Sequence, residues 1–294
     1  MIQRCRVAGF NFDFCLPDGH PLCLELDNYL PFSCSEAGDF RLRCFDEVQP
    51  AEGYGMSVAG TDSGVRIGLA PSPESPVLAT LELNSGYSSG VLSMIPSCAD
   101  FPAACKFALD TALMVQFAFY TASRGGLLLH ASAVVTDGHG VAFLGKSGTG
   151  KSTHSRLWTR NIPGATLLND DNPVVRLFPG DVLVYGSPWS GKTHCYKPVS
   201  APLRGLVRLR QAPFNSIGRL EDVDAYLAIS SSVSAFHLEG MRDLLHESVS
   251  SLVQRIPVYR LDCLPNAEAA QLCHEFFLVS LANIHPEELW PRST

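Results

Sequence analysis

Residues 140–153 read GVAFLGKSGTGKST, an apolar run that breaks into a glycine-rich segment and then into polar, helix-forming residues. Gly145, Gly150, Lys151 and Ser152 satisfy G-x-x-x-x-G-K-[ST] in full, between a predicted strand and a predicted helix over KSTHSRLWTR. The residue types have a physical reason. Glycines let the backbone turn its amides inward around phosphate oxygens, the helix N-terminus adds a favourable dipole, and a lysine supplies a mobile cation. Gly145, Ser147, Gly148, Thr149, Gly150, Lys151, Ser152 and Thr153 are therefore the candidate nucleotide-phosphate residues, with the Ser152 hydroxyl offered to Mg2+.

Upstream lies LLLHASAVV, apolar and β-branched enough for a buried strand, then the turn residues DGHG, so the two apolar runs are predicted to pair as a hairpin. His130 stands fifteen residues before Gly145, at the start of the first run. Pairing would bring it to the strand end that feeds the glycine-rich segment; a lone histidine in an apolar run is otherwise a core residue. Downstream, Pro163-Gly164 breaks the helix and ATLLNDDNPVVRLF reads as a strand ending in Asp170-Asp171. Two carboxylates at a strand end beside a triphosphate can divide two jobs, one holding Mg2+ and the other taking a proton from an attacking hydroxyl. Taken alone, residues 169–173 (NDDNP) are also a competent turn.

Further out, residues 1–97 alternate short apolar runs with turn clusters: RCRVAGFNFDF, PDGHP, LCLELDNYL, GVRIGLAP, PSPESP and VLATLELN. This is the pattern of an antiparallel sheet. Near Pro102 the pattern becomes helical and stops before Gly125-Gly126. Beyond Gly180 come the strands VLVYG and LRGLVRLR, a serine-rich stretch, and helical segments over 235–252 and 267–282. The expectation is a mixed α/β (α+β) chain with a β-rich region over 1–97 and a second region over 98–294 built on a mixed sheet.

The whole chain has 294 residues, 46% of them hydrophobic and 17% charged, which is ample for a buried core and excludes disorder. A net charge of −7 argues against a nucleic-acid partner. The most apolar long stretch, 103–120, is interrupted by Lys106 and Asp110, so no membrane span is expected. The N-terminus lacks the apolar run of an export signal, which makes the cytoplasm the default location and reduced thiols the reading for all ten cysteines. With no C-x-x-C pair, a zinc site is not expected.

Leu129-His130-Ala131, GVAFLGKSGTGKST and LLNDD together resemble the core of the HPr kinase/phosphorylase family, whose catalytic half shares its phosphate-loop architecture with phosphoenolpyruvate carboxykinases. The match covers about 130–176, and GSPWSGKTHCY, from Gly186, resembles a run found in HPr-kinase-related proteins. The resemblance implies an ATP- and Mg2+-dependent kinase with an HPr-kinase-like phosphate-loop core. Its acceptor would be a hydroxyl, of serine in a peptide or protein or of a small molecule. In that reading Lys151 contacts phosphates, His130 lies near the transferred group, Asp170 is the base, and Asp171 binds metal with Ser152. The family's glutamate-containing segment after the Asp-Asp strand and its N-terminal domain have no counterpart. Related kinases are oligomers, so a homo-oligomer is a further expectation. The competing readings are a carboxykinase-type enzyme acting on an organic acid and a nucleotide-binding regulator that does not turn over.

Three features lie outside that core. Residues 186–193 read either as a loop closing over the site, with Trp189 as a stacking surface, or as an ordinary surface turn with a partly buried tryptophan. His154 and His194 are expected to be solvated. Arg204, Arg208 and Arg210 alternate along a strand and read as a solvated face, or as charge presented to an acceptor phosphate.

Overall fold

The computed structural model describes residues 1–46, 53–191, 193–234 and 241–282. Two sheets, with five α-helices among the described residues, form a mixed α+β architecture.

The N-terminal sheet holds β1 (Ile2–Val7), β2 (Phe10–Cys15), β3 (Phe40–Phe45), β4 (Ser57–Thr61), β5 (Gly64–Leu69), β6 (Ala79–Asn84) and β7 (Ser89–Met94), in the order β1-β2-β3-β7-β6-β5-β4. It departs from the expected antiparallel pattern at its centre, where β2 and β3, and β3 and β7, pair in parallel. Alternating apolar residues specify that a strand has one buried face, but not which neighbour it pairs with. The run LCLELDNYL is not a strand: it lies in 3-10 turns at Pro21–Leu24 and Leu30–Phe32, each with a proline in its first turn.

The second sheet holds β8 (Gly126–Leu128), β9 (Ala131–Thr136), β10 (His139–Leu144), β11 (Thr166–Asp171), β12 (Val174–Leu177), β13 (Val182–Tyr185), β14 (Ser200–Gln211), β15 (Ser216–Leu220) and β16 (Val258–Cys263). Strand β14 joins its parts, running parallel to β10 and β16 and antiparallel to β13. The expected β9–β10 hairpin forms around Asp137 and Gly138, both at positive φ (49° and 74°), as a two-residue turn of matching twist requires. Strand β11 flanks β9, with Asp171 opposite Ala131 and Asp170 opposite Ser132.

Helix α1 (Pro102–Ala122) is apolar almost all round and buries residues along its whole length, so it serves as a core element rather than a surface one. One apolar core takes side chains from both sheets and from α1, including Phe12, Phe117, Leu128, Val175 and Trp189. A second lies under α2 (Lys151–Asn161) and α5 (Ala267–Ala282), around Phe143 and the fully buried Trp158. Helix α3 (Asp222–Ser230) lies where the sequence reads only as serine-rich, and of the expected helix over 235–252, α4 (Met241–Arg255) is seen; 235–240 lie outside the described residues.

The expectation of ten reduced thiols is corrected, since Cys98 and Cys105 form a disulfide just ahead of and within α1. Beside it, His20, Asp46 and Cys98 come within 4.8 Å of one another. His20 Nδ1 accepts a hydrogen bond from the Leu22 N–H, so the ring proton sits on Nε2, which points to Asp46 at 3.7 Å; the nitrogen facing the cluster is a donor rather than a metal ligand. Among the described residues no helix is long and apolar enough to cross a membrane.

Candidate active site

The site begins where β10 ends. Residues 145–150 turn sharply before α2, with Gly145, Gly148 and Gly150 at φ 154°, 80° and 108°. A side chain would be strained at each of these positions, and at Gly145 a Cβ would also stand 3.0 Å from the Thr149 side chain. The turn is braced internally by Thr149, whose N–H and hydroxyl both donate to Lys146 O at 3.1 and 2.7 Å.

Lys151, the first residue of α2, is buried and reaches back so that Nζ donates to Gly145 O at 2.9 Å and to His130 Nε2 at 3.0 Å. His130 reaches this point because Leu144 pairs with Ala131, so the residue before β9 faces the residue after β10. His130 Nε2 is also 3.4 Å from Asp171 Oδ1. Lys151, His130 and Asp171, far apart in sequence, thus converge at the mouth of the glycine turn. Burial lowers the pKa of His130, with the Lys151 charge acting in the same direction. A neutral imidazole with its proton on Nδ1 is therefore the form that accepts from Lys151. Burial also lowers the Lys151 pKa and raises that of Asp171 above the usual carboxylate range, the latter against the opposing pull of His130 and Lys151.

The two aspartates occupy different surroundings. Asp170 is buried at 4% exposure on the α2 side, where its Oδ1 accepts from Ser132 Oγ at 2.8 Å and Ser132 in turn meets Ser155 at 2.6 Å. The Asp171 side chain is 38% exposed and lines an open cavity of about 320 Å³ together with His130. Its Oδ2 accepts from Asn172 Nδ2 at 2.8 Å. Asn172 read in the sequence only as a turn residue, because nothing local indicates that a turn amide will orient a carboxylate.

On the other side of the glycine turn, a cavity of about 600 Å³ opens between Gly148, Thr153 and Leu157 and the apolar segment around Pro213, Leu264 and Pro265. Ser152 and Thr153 are half-buried on the first turn of α2, and Ser147 is exposed on the loop. Between these regions a basic rim faces residues 145–149: Arg208, with Arg210 and Arg260, the latter two ion-paired to Asp262. The register that places Arg208 beside Leu144 at the start of the turn could not be read from the arginine spacing alone.

Residues 186–191 keep the buried tryptophan of the second reading but not its surface position, since 186–189 are all buried. Trp189 is 5% exposed and packs between Phe12 (centroids 6.2 Å apart) and Phe117 (5.2 Å), with its indole N–H donating to Tyr29 Oη at 3.3 Å. Ser187 and Gly191 brace the aspartate strand, through Ser187 Oγ to Asn172 O at 2.6 Å and Gly191 N to Asp170 O at 3.1 Å. Lys192 lies outside the described residues.

His154 is corrected from solvated to buried: it is 3% exposed, accepts from Trp158 Nε1 at 3.2 Å, and burial lowers its pKa to about 4. Helix α2 packs its residue-154 face onto Phe143, a partner invisible to local pattern. His194 is exposed, as expected.

No family model matches the chain, and neither does any curated protein. Among solved structures it is similar to the Hpr(Ser) kinase/phosphatase from Coxiella burnetii, at 14% identity and a TM-score of 0.31, over 53% of this chain and 93% of that one.

Proposed function

We propose that this chain is a phosphotransferase that moves the γ-phosphoryl group of ATP to a hydroxyl acceptor. The observation that carries this reading is the convergence of Lys151, His130 and Asp171 at the mouth of a glycine turn, with one cavity lined by that turn and Thr153 and another lined by His130 and Asp171. The larger cavity has apolar walls suited to a nucleoside. The turn and the α2 N-terminus suit the phosphates, and the smaller cavity suits the acceptor.

Residue roles follow from their surroundings. Lys151 binds phosphate oxygens and, being partly desolvated, exerts a stronger field on them than an exposed lysine would. A carboxylate whose pKa is raised and whose edge is exposed to a cavity is a better proton acceptor than one buried against a helix. Asp171 is therefore the proposed base and Asp170 the metal-side carboxylate, the reverse of the order expected from the sequence. Ser152 and Asp170 supply the hydroxyl and carboxylate oxygens that fit a hard divalent cation; Mg2+, when bound, neutralises charge on the phosphates. His130, neutral and accepting from Lys151, holds the ammonium in place.

The test is Lys151→Ala. It is expected to weaken Mg-ATP binding, measured by titration calorimetry, and to abolish transfer, while the melting temperature stays within a few degrees of the parent. Undiminished ATP-dependent transfer in that variant would overturn the assignment. Nucleotide binding without turnover on any hydroxyl acceptor would instead support the regulator reading.

A further inference from the structure

We propose that the cavity of about 320 Å³ beside Asp171 receives an uncharged small molecule with an apolar body and a single reacting hydroxyl. The inference rests on the phosphotransfer reading and names the acceptor class for the same site.

The first argument is the shape and chemistry of the walls. One wall is the middle of α1, where Met114, Val115 and Ala118 share a helix face. Another part of the lining is the segment 231–234, which lends backbone and serine groups. That segment is fixed as an added edge to the sheet: His130 N donates to Ser232 O at 2.7 Å, Ser234 N donates to Leu128 O at 2.8 Å, and Leu129 bridges Val233. The cavity therefore has one apolar side and one hydroxylated edge, at the lower end of the roughly 300–1,000 Å³ range of small-molecule sites.

The second argument is charge. Among the described residues lining this cavity the ionisable groups are His130 and Asp171, and neither arginine nor lysine is present. A carboxylate or phosphate on the acceptor would be desolvated beside Asp171, and Lys151, which meets His130 at this site, is already engaged by Gly145 O and His130 Nε2. A polyhydroxylated acceptor would leave hydroxyls unpaired against Met114, Val115 and Ala118.

The third argument is the state of Asp171 itself. Asn172 donates to its Oδ2, and the Asn172 Oδ1 accepts from Ser234 Oγ at 3.2 Å, so this carboxylate edge is held in place from the 231–234 wall. His130 Nε2 already accepts from Lys151 and has no proton to give, which leaves Oδ1 free for an incoming O–H. In the transfer step Oδ1 takes the hydroxyl proton and the acceptor oxygen bonds to the γ-phosphorus of ATP. The bond from that phosphorus to the β,γ-bridging oxygen breaks and ADP leaves.

The experiment uses the full chain and two probes of nearly equal shape, benzyl alcohol and benzoate. With methionine methyls labelled by 13C, and the Met114 signal assigned by its loss in Met114→Leu, benzyl alcohol is expected to shift that signal saturably and benzoate to leave it unmoved. With Mg-ATP, benzyl phosphate formation is expected to exceed phosphorylation of glycerate and of a serine-containing hexapeptide by at least tenfold. Met114→Lys, which places a cation on the half-buried wall, is expected to raise benzoate binding at least tenfold relative to benzyl alcohol. A Met114 signal that benzoate shifts as strongly as benzyl alcohol does, or that neither probe moves, would overturn the proposal, as would preferred transfer to the peptide or glycerate. Loss of Lys151-dependent Mg-ATP binding would instead sink the phosphotransfer reading beneath it, and calorimetry on the same samples separates the two failures.

Discussion

Two stretches of this chain spell the same pattern, G-x-x-x-x-G-K-[ST]: residues 145–152 and residues 186–193. The first leaves a strand, turns through three glycines at positive φ and starts α2. The second also leaves a strand, β13, but no helix follows; 193–199 run without regular structure into β14. Neither Gly186 nor Gly191 is at positive φ. Gly191 is demanded instead by close approach, since a Cβ there would stand 2.9 Å from Asp170 O. The two stretches differ in their middles. Ser-Gly-Thr is small enough to leave the backbone exposed around a ligand, whereas Pro-Trp carries an indole that an aromatic cluster in the core takes up. Identical flanking letters therefore give a candidate phosphate turn in one place and a brace behind the aspartates in the other, and the strand-to-helix setting is what separates them.

If the first stretch is where chemistry occurs, the largest effect should come from the carboxylate facing it. Asp171→Asn is expected to lower kcat by about 10²–10⁴-fold with Mg-ATP affinity retained. Asp170→Asn is expected mainly to raise the Mg2+ concentration needed for half-maximal rate. Metal titrations of both variants decide, and the opposite pattern would return the two roles to the order expected from the sequence.

If the second stretch is a brace, damage to it should appear as stability. Trp189→Ala removes a buried indole and is expected to cost about 3–5 kcal/mol in denaturant unfolding, with Mg-ATP affinity per folded molecule unchanged. A selective loss of nucleotide affinity at unchanged stability would show that Trp189 serves the ligand after all and would erase the contrast.

His154 sharpens the comparison from beneath the first stretch. Its folded pKa of about 4 lies below the ordinary value of 6.5. As pH falls below 6.5 the unfolded chain takes up a proton that the folded chain refuses until about pH 4. The group therefore destabilises the fold progressively across that window and has no effect above it, by at most roughly 3 kcal/mol. His154→Gln, which keeps an acceptor for Trp158, is expected to flatten that part of the pH–stability curve; an unchanged slope would mean the histidine is not desolvated.

The smallest effect is expected at Asn172, which links Asp171 to the second stretch through Ser187. Its amide favours the ionised form of Asp171, so Asn172→Ala should raise the Asp171 pKa further and move the acid limb of the kcat–pH profile to higher pH. An unmoved limb would mean that Asp171 does not govern it.

Much of the site was legible before the fold. The β9–β10 hairpin follows from a DG turn between two apolar runs, and the hairpin alone brings His130 opposite Gly145. The helix over 102–122 follows from its composition and its glycine stop. What was not legible has physical causes. The roles of Asp170 and Asp171 depend on which face of β11 meets α2, and adjacent strand residues always point to opposite faces. The burial of His154 and Trp189 depends on partners distant in sequence, Phe143 for one and Phe12 and Phe117 for the other. The parallel centre of the first sheet is likewise a pairing at a distance, whereas the Cys98–Cys105 bond, seven residues apart, depends on how the chain turns into α1.

By itself the sequence determined what local chemistry controls: where glycine permits a turn at positive φ, where a proline or a polar cluster ends an element, and which short apolar runs alternate. These properties depend on a residue and its immediate neighbours, so they can be read in order along the chain. Only the tertiary structure decided that the second of two identical patterns, unlike the first with its predicted helix, runs into a hydrophobic core. It also decided that one aspartate is buried beneath α2 while its neighbour faces a cavity, and that the walls of that cavity lack a cation among the described residues. Each of those outcomes is set by groups brought together from segments separated in sequence, and burial, dielectric and charge at a site are sums over all of them.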